Sequence, residues 1–91
     1  PEDAARLWYF RSNVSASMQE EDDPTSWNWR QPHREKQVLY LRRAIASEGF
    51  NHLDAIVRAQ IHTNLANQLN SFGRPIEAIR EYGKALSYVP N

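Results

Sequence analysis

Between Leu65 and Val89 apolar side chains return every three or four residues, at Leu65, Leu69, Phe72, Ile76, Ile79, Tyr82, Leu86 and Val89. The run is punctuated once, by Gly73-Arg74-Pro75. A period of three to four is that of one face of an α-helix. Glycine is the residue by which helices commonly end, and proline is tolerated in a first helical turn, where its missing N–H has no partner anyway. The pattern predicts two amphipathic helices joined by a tight turn.

The same period predicts helices over the rest of the chain. Residues 2–18 carry Ala5, Leu7, Trp8, Val14 and Met18, with Glu2 and Asp3 suited to the positive end of a helix dipole. A second helix is expected over 32–47, with Val38, Leu41 and Ile45 as its stripe, widened by Leu39 and Ala44, and Gly49 as its stop. Asn51 followed by Asp54 resembles a capping box opening a third helix, which carries Leu53, Ile56, Val57, Ile61, Leu65 and Leu69. Glu77 with Arg80 and Glu81 with Lys84 are spaced for surface ion pairs on the fourth, which Pro90 ends. The stretch Gln19–Gln31 holds four consecutive acids and a proline, so it reads as a loop or insertion. No segment alternates as a strand would. The expected class is all-α, arranged as two antiparallel helix pairs over residues 1–50 and 51–91.

Composition removes several functions. Ninety-one residues suit one small domain. Eleven Lys plus Arg balance eleven Asp plus Glu, so no net field directs the chain to nucleic acid or an anionic membrane. There is no Cys, hence no disulfide and no thiolate metal site. No apolar run approaches the roughly 20 residues of a membrane span. The start, PEDAARLW, has no signal-peptide character and no initiator Met, so a cytoplasmic piece of a longer chain is expected. No Gly-x-Ser-x-Gly elbow occurs, three glycines cannot build a phosphate-cradling loop, and His33, His52 and His62 lack metal-ligand spacing. The expectation is therefore no enzyme, no cofactor and no metal, with His62 packed in the core.

Residues 59–91 resemble a tetratricopeptide repeat, a helix–turn–helix unit of about 34 residues. The resemblance rests on Leu65-Ala66, Leu69, Gly73, Glu77-Ala78-Ile79, Tyr82, Lys84-Ala85-Leu86 and Pro90-Asn91. His62 stands where the family has Trp, and Pro75 replaces a bulky turn residue. Residues 5–45 look like a degenerate second copy: Ala5 to Asn13 aligns with Ala59 to Asn67, and Leu41 to Ile45 with Tyr82 to Leu86. Ala78 and Ala85 are expected to let helices approach closely, with Leu65, Leu69, Ile79, Tyr82 and Leu86 filling the space between them. Gly83, costly in a helix interior, suggests another close approach. The resemblance implies an α-solenoid fragment whose apparent end at Pro90-Asn91 is a hinge into a further unit.

In such arrays the first helix of each unit lines a concave groove. The resemblance then places Arg6, Tyr9, Phe10, Asn13 and Ser17 in the groove from the first unit, and Gln60, Thr63, Asn64, Asn67, Asn70 and Ser71 from the second. The partner-binding residues singled out are Arg6, Tyr9, Asn13, Gln60, Thr63, Asn64, Asn67 and Asn70. An amide both donates and accepts, so it suits a peptide backbone. Trp27 and Trp29 read as packing residues of the insertion, with a secondary binding anchor as the sharper alternative. The implied function is a protein–protein interaction module that takes a peptide or helix of a partner, or another domain of its own chain. No direct nucleic acid and no membrane are expected, and exposed repeat ends make self-association possible.

A fainter resemblance, carried by YFRSN, LRRAI, TNLANQL and GRPIEAI, is to bacterial proteins in which such repeats precede a HEPN domain. The Arg–His spacing of those nucleases is not matched by Arg58 and His62, so the alternative function this resemblance implies is a regulatory or architectural repeat segment of such an RNase- or toxin-related protein, with any activity outside this chain.

Overall fold

The computed structural model describes residues 2–18 and 32–88. Within them run four α-helices: α1 (Glu2–Ser17), α2 (Pro32–Ala46), α3 (Ala55–Ser71) and α4 (Pro75–Tyr88), with a 3-10 turn at Glu48–His52 between α2 and α3. Among the described residues there is no strand, and the fold there is all-α. Trp27, Trp29 and the rest of the expected insertion lie outside these residues, as do Val89, Pro90 and Asn91.

The helices pack α1 on α2 and α3 on α4, and α2 also lies against α3. Leu41, Ile61, Leu65 and Leu69 are the largest fully buried side chains, closed in by Ala5, Ala44, Ala66 and Ala78. Each helix thus contributes at least one alanine or leucine to a single core, and the small residues set how closely the backbones approach.

The α3–α4 turn follows its sequence signal. Gly73 takes a φ of +76°, a left-handed conformation that costs an L side chain strain. The Arg74 N–H donates to the Leu69 carbonyl at 2.9 Å and the Gly73 N–H to the Asn70 carbonyl at 3.1 Å. These two bonds satisfy the carbonyls at the end of α3 in a Schellman arrangement. Pro75 then occupies the first position of α4.

The α2–α3 junction departs from expectation. Gly49 does not stop α2 by a left-handed turn; the helix ends at Ala46, and Gly49 is buried within the 3-10 turn with no positive φ. Asn51 caps nothing, because it too lies in that turn, and the residue preceding α3 is Asp54, whose side chain makes no cap bond. Leu53 precedes α3 rather than riding on it. The reason is packing: the junction carries Phe50 and Leu53 into the core, where both are buried. Burying two such side chains is worth several times one capping bond.

The largest correction concerns α4. Ile79 and Leu86 do not fill the space against α3; they are 68% and 69% exposed, as is Ile76 at 67%. The helix turns Ala78, Glu81 and Ala85 inward instead. Gly83 marks no close approach among the described residues, none of which lies within 4 Å of where its Cβ would stand. Leu39 of α2 and Ile56 of α3 are likewise exposed rather than part of their stripes, and so are Leu7 and Val14 of α1 and Met18 just beyond its end. Glu77 does not pair with Arg80 but with Arg42 at 3.4 Å and Arg74 at 3.7 Å. Glu81 does meet Lys84, at 3.2 Å, yet it is a buried acid rather than a surface one.

Candidate functional site

Because α2 contacts both α1 and α3, Gln37 and Leu41 of α2 share one cavity with residues of α1 and α3. The cleft has a volume of about 240 Å³. Asn13 lines it from α1, and Asn64, Asn67 and Gln68 line it from α3. Steps of three and four along α3 bring those amides to one flank of the helix. No charged side chain lines the cleft among the described residues.

Its hydrogen bonding is incomplete. Gln68 Nε2 donates to Gln37 Oε1 at 2.9 Å, while Gln68 Oε1 is buried and has no partner among the described residues. The Tyr82 hydroxyl donates to Asn67 Oδ1, which holds that carboxamide and leaves its NH₂ to other acceptors. Asn13 and Asn64 make no side-chain hydrogen bond among the described residues. A cleft of this make-up presents donors and acceptors together, which is what an extended polypeptide backbone requires.

Of the residues singled out from sequence, Asn13, Asn64 and Asn67 come together here. Tyr9 reaches across from α1 to α3, its hydroxyl 3.4 Å from Gln60 Oε1, so both stand where the two helices face each other. Arg6 is exposed, seven residues before Asn13 on the same flank of α1. Thr63 lies elsewhere, in an apolar depression with Ala59, Tyr82, Ala85 and Leu86. Asn70 sits at the end of α3, exposed, its carbonyl taken by the Gly73 turn. Trp27 and Trp29 fall outside the described residues. Gln37 and Gln68 were not foreseen as site residues. Gln37 left a signal: it shares the face of α2 that buries Leu41 and Ala44, an unusual place for an amide.

A second polar constellation lies in the core. His62 Nδ1 is 2.6 Å from Glu81 Oε2, and the two residues are 3% and 8% exposed. Tyr88 stacks on the imidazole with centroids 5.6 Å apart, and Phe50 meets it edge-on at 5.5 Å. Enclosed on these sides, the pair is structural and belongs to packing, where His62 was expected.

Among the described residues no group of three or more His, Cys, Asp or Glu could hold a metal ion, and no helix is long and apolar enough to cross a membrane. Comparison with family models, with curated proteins and with solved structures finds no match to this chain.

Proposed function

We propose that the chain is a tetratricopeptide-like interaction module that holds an extended stretch of partner polypeptide in the amide-lined cleft between α1 and α3. The observation that carries this reading is the convergence of Asn13, Asn64, Asn67 and Gln68 on one uncharged cleft with hydrogen-bonding groups unspent. Two further features support it. Asn13 and Asn67 occupy equivalent places in the two sequence copies, and each contributes to the same cleft. The pairing of α3 with α4 through the Gly73 turn, with Ala78 and Ala85 buried between them, is what a helix–turn–helix unit needs for close contact. An uncharged amide site reads backbone geometry more than side-chain charge, so the partner segment is expected to bind extended and to tolerate sequence change.

The test is selection from a random-peptide display library against the chain, followed by titration of a selected peptide. Each hydrogen bond lost is worth about 1 kcal/mol, so Asn64→Ala with Asn67→Ala is expected to weaken binding ~tenfold or more. Unchanged affinity in that double variant, with its helicity intact, removes the cleft from the function.

A further inference from the structure

On the side of α1 turned away from Ser12 and Ala16, Phe10 and Val14 and then Met18, just past the helix end, follow at steps of four, and all three are exposed. With Tyr40 of α2 they floor a groove of about 350 Å³, whose rim carries Arg11 and Lys36. No carboxylate lines this groove among the described residues. Trp8 stands beside it, stacked on Tyr40 with centroids 5.7 Å apart. Two guanidiniums rest on the indole, Arg11 at 4.9 Å and Arg43 at 4.8 Å from the ring centroid. Lys36, Tyr40 and Arg43 fall on one face of α2 at steps of four and three, so the cations continue along the groove.

A cation–π contact holds a guanidinium by its face and leaves the N–H donors on its edge unspent. Arg11, Lys36 and Arg43 make no ion pair among the described residues, whereas Arg42, Arg74 and Lys84 all do. The two arginines are therefore ordered before any carboxylate arrives, which lowers the entropy a ligand must offset.

We propose that this outer side of the α1–α2 pair is a docking surface for an acidic amphipathic helix of a partner protein. The occupant's apolar side chains would lie on Phe10, Val14, Met18 and Tyr40, and its flanking carboxylates would meet Arg11, Lys36 and Arg43. Charge complementarity selects the partner's sign, and the apolar floor suits the side chains along one face of a helix. Single-stranded nucleic acid fits less well, because bases stack on open aromatic faces: those of Trp8 already hold Tyr40 and two guanidiniums, which leaves Phe10 as a single exposed ring rather than a stacking platform. The chain's zero net charge also supplies no general field for a polyanion. This surface is independent of the amide cleft, which uses the opposite flank of α1.

The experiment is a fluorescence-anisotropy titration of the whole chain with three labelled probes. These are a helical peptide with Leu and Phe at three- and four-residue spacing and Glu on the flanks, the same peptide with Gln for Glu, and an oligouridylate. The acidic peptide is expected to bind, less tightly as salt rises, and its Gln counterpart about tenfold more weakly. Arg11→Gln with Lys36→Gln should weaken the acidic peptide about fivefold. Val14→Asp should abolish its binding, and Asn64→Ala with Asn67→Ala should leave it unchanged. Circular dichroism checks that each variant keeps its helices. Absence of binding, equal affinity for the two peptides, tighter binding of the oligouridylate, or retention by Arg11→Gln with Lys36→Gln overturns the proposal. So does capture of the acidic peptide only after Glu20, Glu21, Asp22 and Asp23 are replaced by Gln and Asn, since the chain would then supply its own carboxylates.

Discussion

Glu81 is the residue whose role is least visible in the sequence and most exposed to experiment. His62 Nδ1 and Glu81 Oε2 share one hydrogen bond, and an ionised Glu81 accepts it from the Nδ1–H tautomer of His62. Its other oxygen receives Lys84 Nζ at 3.2 Å, which joins the buried pair to a half-exposed cation. Such a pair contributes little net stability over an apolar substitute of the same shape, yet breaking one side is costly, because the remaining polar group stays buried. Glu81→Ala strands the imidazole N–H between Phe50 and Tyr88 and is expected to lower unfolding free energy by about 1–3 kcal/mol. Glu81→Gln keeps an acceptor in place and should cost less. Urea denaturation followed by circular dichroism measures both. Equal losses would mean that Glu81 matters only for the volume it fills.

At the scale of elements, the two glycines flanking the start and middle of α4 carry opposite expectations. Gly73 needs its positive φ to close the α3–α4 turn, so Gly73→Ala should destabilise the fold by about 1–2 kcal/mol. Gly83 lies mid-helix with no described residue within 4 Å of its Cβ position, so Gly83→Ala should stabilise by about 0.5–1 kcal/mol. Thermal melts of the two variants should move in opposite directions from the parent. A drop for Gly83→Ala would show that a neighbour does approach that face. The contrast also marks how far sequence reading reaches. Helix bounds were legible to within a residue or two at most ends, because period, proline and glycine are local signals. Which face of α4 is covered was not legible. Its apolar stripe is the clearest in the chain, but periodicity says that a helix has two faces without saying what packs on either. Alanines at 78 and 85 and the His62–Glu81 bond drew the other face inward. The α2–α3 junction failed for a related reason: Asn51 and Gly49 carried capping signals, and burial of Phe50 and Leu53 outweighed them.

At the scale of the molecule, α2 organises two surfaces. It packs against both α1 and α3, and beside it lie the amide cleft on one flank of α1 and the cationic, apolar groove on the other. Three of the five amides that line the cleft could be read from the chain, since Asn13, Asn64 and Asn67 follow helical steps and repeat equivalence. Gln37 and Gln68 could not, because their meeting depends on how α2 settles against α3, a contact between residues 31 positions apart. The central claim is that those amides receive a polypeptide, and it is read most directly from side-chain resonances. In a ¹⁵N–¹H correlation spectrum titrated with a library-selected peptide, the side-chain NH₂ pairs of Asn13, Asn64, Asn67 and Gln68 are expected to shift together and saturate at one peptide per chain. Shifts confined to the exposed face of α4 around Ile79 and Leu86, with the four amides unmoved, would contradict it.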